Sequence, residues 1–276
     1  MLRYLAPTLL FAVAVFGCDK KSDASGGGAT APPGTPVSAN QTGPQNSDPI
    51  DPATVGSIKG VVKLDGWLKP DGPNGEIGGV PACAAHWKGN LPLRETLVMG
   101  EGQTMANVLV YVKNGLGNRK FDVPKNEVFF DQVGCVYTPH AHAIRANQPL
   151  TIRNGDAGLM HNVRGTPALN ESFNKGQLNK GDQNTFHFPI PEIGIEVQCN
   201  VHPWMSAWLH VVGHPFFQLT GKDGAYKLEG LPPGEYEVQA WHERFKSARM
   251  VAMVTVKAKE ATPLDFTFKG GEKPSK

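Results

Sequence analysis

The sequence predicts an all-β protein made of two β-sandwiches in succession, and three observations support this. Short runs in which apolar and polar residues alternate recur from Ser57 almost to the end of the chain. Glycine (32) and proline (23) are frequent enough to punctuate those runs with turns. No segment keeps a helical period for longer than about two turns.

The chain opens with M-L-R-Y-L-A-P-T-L-L-F-A-V-A-V-F-G, one cation (Arg3) followed by an apolar run that ends in Gly17. Residues 1–17 have the proportions of a signal peptide and are too short to span a bilayer comfortably. Val15-Phe16-Gly17-Cys18 resembles the box read by lipoprotein signal peptidase, which implies lipidation of Cys18. Residues 18–56 are rich in Gly, Pro and Ser and poor in large apolar residues, the composition of a disordered tether. Such a tether has a root-mean-square reach of roughly 35 Å. The expectation is an exported protein, lipid-anchored in the periplasm or at the cell surface.

Residues 57–213 carry the first set of strand-like runs: S-I-K-G-V-V-K-L from Ser57, then 106–112, 149–153, 185–190, 195–199 and 207–212. The stretch 65–105 reads as a long ordered loop. Residues 214–270 supply five further short runs, and 271–276 read as a tail. Asp223-Gly224 is a hairpin turn signal, and Pro232-Pro233-Gly234 makes a rigid turn with a free exit. The pattern D-G-x-Y-x-L-x-x-L-P-P-G-x-Y from Asp223 to Tyr236 resembles the carboxypeptidase-regulatory-like domain. That resemblance implies a small transthyretin-like or Ig-like sandwich with a structural or adhesive role.

Four cysteines are present: Cys18, Cys83, Cys135 and Cys199. With Cys18 lipidated, three thiols remain in an oxidising compartment, which tends to pair them. Cys83 and Cys135, in P-A-C-A-A-H and Q-V-G-C-V-Y, can pair as a disulfide. Cys199 is then left alone, in the one segment with metal-ligand spacing.

That segment, C-N-V-H-P-W-M, offers a thiolate (Cys199), an imidazole (His202) and a thioether (Met205). Soft sulfur donors with imidazole select copper over hard cations, and a trigonal His2Cys site with a weak axial Met requires a second histidine. His161, in I-R-N-G-D-A-G-L-M-H-N-V, follows a strand and a turn and is placed on a loop. His161-Asn162-Val163 with C-x-x-H-x-x-M resembles the ligand pattern of the cupredoxins, in particular those of the plastocyanin and amicyanin type. The resemblance is strongest over 145–213. It implies a Greek-key sandwich and one type 1 copper held by His161, Cys199, His202 and Met205. It also implies that Asn162 ties the two ligand loops together beside the sulfur, while Trp204 shields the metal or faces a partner. Two His and one Cys would also suit Zn2+, although Met is a poor ligand for it.

Other candidates receive blander readings. His86, His140 and His142 flank the cysteine pair as solvated loop residues or, less simply, as a second metal site. His187 and His210 alternate in strands and are expected at solvent or at the sandwich edge. His214 and His242 are read as packing or interdomain hydrogen-bonding groups, and Met160 as pointing away from the site. His242-Glu243 has no second His four residues on, so it does not make a zinc-protease helix.

A closed His2CysMet site suits one-electron transfer with a redox protein partner, with His202 on the solvent side as the exit and Met205 tuning the potential. The alternatives are copper trafficking or sensing without redox turnover, and a metal-free structural or carbohydrate-binding module. No catalytic triad, paired-carboxylate motif or phosphate loop is legible, so an enzyme is not expected. A net charge of +2 gives no reason to expect a nucleic-acid partner.

Overall fold

Two pairs of facing β-sheets enclose two separate apolar cores in the computed structural model, which describes residues 49–274. The expected signal peptide, Cys18 and most of the tether lie outside the described residues. The all-β expectation holds among the described residues, where helix is confined to short pieces.

The first sandwich pairs a five-stranded sheet with a four-stranded one. Across the larger sheet the strands run Ala141–Arg145, Ser206–Val212, Glu192–Gln198, His161–Gly165 and Phe173–Gln177. The smaller runs Tyr137–Thr138, Val128–Gln132, Leu150–Asn154 and Gln183–Phe186. Phe130, Ile144, Ile152, Val163, Ile195, Val197 and Leu209 fill the space between them. The Ser206–Val212 strand is central and buried on both sides. Ala207, Leu209 and Val211 enter this core, while Trp208 and His210 turn outward against Trp241 of the second sandwich.

The second sandwich corrects the expected domain boundary. One of its sheets sets Gly56–Asp65 between Ala225–Leu231 and Ala261–Pro263, with Phe266–Lys269 continuing along the same edge. The other sets Leu109–Asn114 between Phe217–Leu219 and Gly234–Trp241, with Met250–Val256 outermost. Two strands assigned from sequence to 57–213 are therefore central strands of the C-terminal sandwich, so 214–270 is not a unit by itself. Alternation marks a strand but says nothing of its partner. The Gly56–Asp65 strand pairs in parallel with segments some 200 residues away, and parallel partners always require long crossovers.

The stretch 65–105 is ordered, as expected, but it contains two short helices, Gly75–Gly78 and Pro81–Trp87. Pro81 opens the second at a position where its missing N–H is harmless. Ile77 and Cys83 anchor these helices in the first core, while Leu97 and Met105 enter the second. Cys83 therefore sits in a helix rather than a loop, and its sulfur is bonded to that of Cys135.

The seam between the sandwiches overturns the solvent placement of several histidines. His210 is fully buried; its Nδ1 accepts from Gly194 N at 3.1 Å and its ring meets Trp241 edge-on at 4.7 Å. Gly194 lies at a register shift in its strand with φ of +84°, and a Cβ there would press on the Trp241 ring at 3.0 Å. His140 is buried and pairs with Glu243 at 2.5 Å, and His142 packs against Phe130 at 4.6 Å, so neither is a solvated loop residue. His214 Nε2 donates to the Val112 carbonyl at 2.7 Å and buried His242 accepts from Arg244 N, the packing roles expected of them. His187 is exposed, as is Met160.

Two outcomes are expected. Residues 214–276 expressed alone will not fold, because each of their sheets lacks its central strand; a dispersed amide spectrum from that fragment would contradict this. Second, burial pushes the pKa of His142 and His214 down to about 4 and of His210 and His242 to about 3. Such groups are neutral in the native state but charge near 6.5 when unfolded, so stability present at neutral pH is lost as pH falls from about 6.5 toward 4. The denaturant midpoint should fall from pH 7 to pH 5, and less steeply in His142→Phe; a flat wild-type profile would contradict the assignment.

Candidate metal centre

Three strands of the larger sheet of the first sandwich converge at one end. Gln198 pairs with Arg164 on one side and with Ser206 on the other, so Cys199 leaves the sheet beside the start of His161–Gly165. The loop 199–205 is closed by its own backbone: Cys199 N donates to Met205 O at 3.1 Å, and Met205 N to His202 O at 2.8 Å. His161 is the first residue of a strand, not a loop residue as the sequence suggested. The turn before it is fixed by Asn154, whose Oδ1 accepts from Asp156 N at 2.9 Å while its Nδ2 donates to Leu159 O.

This arrangement brings His161, Cys199 and His202 together. His161 Nδ1 lies 3.0 Å from His202 Nδ1, and Cys199 Sγ lies 4.0 and 3.9 Å from the same two nitrogens. A circle through three atoms with those separations has a radius of about 2.1 Å, the length of a metal–nitrogen or metal–thiolate bond. The three side chains fit a trigonally held metal, and their exposures of 0, 2 and 5% leave no room for bulk water between them. Met205 is buried as well, held in the loop through its backbone.

Asn162 joins the two ligand segments, in the place the sequence suggested. Its backbone N–H points at Cys199 Sγ (3.5 Å), and its Oδ1 accepts from Asn200 N at 2.6 Å. The Nδ2 amide donates to Asn174 and Asn200. Tyr137, which the sequence did not single out, places its hydroxyl within 3.2 Å of Asn162 O and 3.1 Å of Gln198 O, bridging the same two segments from the opposite sheet.

Asp156 is the other group that sequence reading missed, having taken it only for part of a turn. Its carboxylate accepts from His161 Nε2 at 2.9 Å, from Gly134 N at 2.6 Å and from Cys135 N at 2.9 Å. The available signal was an acid five residues before the histidine. Burial works against the Asp156 charge, but these hydrogen bonds outweigh it and hold the carboxyl below its usual range. Burial likewise opposes a charge on His161, yet the bonds to Asp156 and Cys199 raise its pKa. For Cys199, burial is outweighed by His161 and by the N–H groups of Asn162, His202 and Val201, which lower the thiol's pKa toward the thiolate. His202 is held neutral by burial, then by its proximity to His161.

The surroundings of His202 differ from expectation. The sequence pattern puts it on the solvent side, but the Trp204 ring lies over it at 5.2 Å, and the bonded sulfurs of Cys83 and Cys135 lie within 4.8 Å of its donor atom and of each other. Trp204 is pinned by donation from its Nε1 to Cys135 O at 3.0 Å. Beyond it opens a cleft of about 680 Å³, whose walls include Trp87, Leu93, Tyr137, Trp204 and Met205. The second metal site considered for His86, His140 and His142 is not assembled: His140 is taken by Glu243, His142 by Phe130, and His86 stacks edge-on with Trp87.

No protein-family model matches the chain, and no curated protein matches it in sequence. Solved structures similar to part of it include a Cu-containing nitrite reductase from Thermus scotoductus SA-01, at 20% identity and a TM-score of 0.29 over 35% of this chain. The chain spans 24% of that reductase's length. A purple cupredoxin from Nitrosopumilus maritimus is similar at 22% identity and TM-score 0.26, covering 30% of this chain and 98% of its own. Amicyanin from Paracoccus versutus is similar at 19% identity and TM-score 0.28, covering 37% of this chain and 96% of its own. Likenesses this distant assign the chain to no family, and the chemistry of the site rests on its own residues.

Proposed function

We propose that this chain is a membrane-tethered, extracytoplasmic copper protein of the type 1 (blue) kind that passes single electrons to or from a redox protein partner. The observation that carries the proposal is the sealed triangle of one sulfur and two imidazole nitrogens, spaced for a single metal ion. A thiolate with two imidazoles is a copper donor set, and Met205, a soft thioether in the same loop, favours copper over zinc. Copper bound there supplies a one-electron couple.

The chain's own part is to hold the donors still. Asn162 N–H points at the sulfur and, with the loop's backbone bonds, keeps Cys199 at one distance from both histidines. A frame that does not rearrange suits a centre that must serve two oxidation states. Trp204 covers His202 and lines the cleft, so a partner reaches the centre across that indole rather than through an exposed histidine. The formed Cys83–Cys135 bond suits an oxidising compartment, in keeping with the lipobox-like Val15–Cys18 segment. Neither an enzymatic activity nor a nucleic-acid partner forms part of this proposal.

A visible absorption titration of residues 19–276 with Cu(II) tests the reading. An intense thiolate-to-copper band that saturates at one equivalent and disappears in Cys199→Ser is expected. Asn162→Ala should keep the band but weaken metal retention by about 10–100-fold, the usual cost of losing a group that orients a ligand. Stoichiometric but colourless Cu(I) binding would favour trafficking or sensing instead. No metal uptake at all would leave a structural or carbohydrate-binding module.

A further inference from the structure

The turn that carries Cys135 is built in an unusual way. Gly134 and Cys135 both have left-handed backbones, with φ of +64° and +59°. In this turn their consecutive N–H groups converge on one carboxylate, as in the small anion-binding nests that turns form. Here the nest holds Asp156: Gly134 N reaches Oδ1 at 2.6 Å and Cys135 N reaches Oδ2 at 2.9 Å. The left-handed region is costly for a residue with a Cβ, and surrounding structure must enforce it at Cys135. The disulfide to Cys83 does so, helped by donation from Trp87 Nε1 to Gly134 O at 2.8 Å and from Trp204 Nε1 to Cys135 O at 3.0 Å.

With two backbone donors already on it, the Asp156 carboxylate faces His161 as an acceptor. The His161 proton therefore belongs on Nε2, 2.9 Å from Asp156 Oδ2, and Nδ1 is left as a bare lone pair. That lone pair is the atom 3.0 Å from His202 Nδ1 and 4.0 Å from Cys199 Sγ. In the metal-free protein the short His–His contact is then a hydrogen bond in which His202 Nδ1 donates to His161. Only one of the two neutral tautomers of His161 can accept a metal at Nδ1, so a fixed tautomer is a precondition of the site.

We propose that Asp156 is the positioning residue of the metal centre, selecting the His161 tautomer that leaves Nδ1 bare, and that the Cys83–Cys135 disulfide holds Asp156 in that role. The proposal rests on the metal-site reading above for its purpose, but its physical content is a proton position that can be read without metal. It makes the disulfide part of the centre's construction and not a remote staple. A chain whose disulfide is reduced would then have a poorly prepared site.

Two-bond 15N–1H correlation spectra of the histidine rings in metal-free protein at neutral to mildly alkaline pH test this directly. Wild type should show His161 as the Nε2–H tautomer and His202 as Nδ1–H. In Asp156→Ala the acceptor shared by Cys135 N and His161 Nε2 is lost, so His161 should become a mixture of Nδ1–H and Nε2–H tautomers. Copper affinity, measured by competition, should then fall by about 10–100-fold. Reducing the disulfide of wild-type protein with a small dithiol should leave His161 as a mixture of tautomers. A wild-type His161 carrying its proton on Nδ1 overturns the proposal without any variant needing to fold. A proton that stays wholly on Nε2 in Asp156→Ala overturns the role of Asp156, and an unchanged tautomer after reduction overturns that of the disulfide. An Nε2–H tautomer in a protein that takes up no copper would refute the copper reading while leaving the proton assignment standing.

Discussion

Burying polar side chains in an apolar core is costly unless each finds a partner, and the ligand end of the first sandwich is organised by that constraint. His161, Gln132 and Gln177 are fully buried there, with Asn154 and Asp156 nearly so. Gln132 Nε2 donates to Gln177 Oε1 at 2.6 Å, though Gln132 Oε1 has no partner among the described residues; Gln177 Nε2 donates to Ile152 O at 2.8 Å, and Asn154 Nδ2 to Leu159 O at 2.9 Å. Leaving one such group unpaired costs about 1–3 kcal/mol, so few arrangements of these strand ends are tolerated. The spacing of the sulfur and two nitrogens follows from a frame that is cross-tied for its own stability.

The two sandwiches depend on each other in a different way. The chain enters the second sandwich first, at Gly56–Asp65, and returns to it at Leu109–Asn114 before the first strand of the first sandwich is laid down. Where the sandwiches meet, Trp208 and Trp241 lie 5.3 Å apart and the Lys246 ammonium sits 4.1 Å from the Trp208 ring. An aromatic pair and a cation over an indole each contribute roughly 0.5–1.5 kcal/mol beyond area burial. Glycine at 194 is what lets Trp241 approach the sheet. The same seam buries His210 and His242 in neutral form, so tight packing there is gained at the expense of stability in acid.

The disulfide and the candidate metal centre form one structural unit. Cys135 bonds covalently to the Pro81–Trp87 helix, gives its N–H to Asp156 and takes a hydrogen bond from Trp204. The last two touch residues beside the candidate histidines: Asp156 beside His161, Trp204 beside His202. A disulfide closing a loop of 52 residues stabilises by about 4 kcal/mol on chain-entropy grounds. Its placement also puts the Cys135 turn against Asp156, which such an account omits.

Much of this was legible in the residues themselves. Period-two alternation identified the strands at Gly56–Asp65, Leu150–Asn154, Glu192–Gln198 and Ser206–Val212, and the C-x-x-H-x-x-M loop with an upstream His-Asn-Val named the three groups that meet. Cysteine arithmetic separated Cys83 and Cys135 from Cys199, because thiol chemistry depends on number and compartment more than on shape. What local pattern could not carry was partnership. The Val128–Gln132 and Phe173–Gln177 strands have weak alternation, and Asp156 looked like an ordinary turn residue until the turn at Gly134 was folded against it. His210 sits at a position that alternation marks as polar, and it became buried because a second sandwich covers that face. Donor type and strand periodicity are properties of neighbouring residues, so the sequence by itself determined the fold class and the candidate donor groups; which strands pair, which face is covered and which carboxylate meets His161 are contacts between distant segments, and only the tertiary structure decided them.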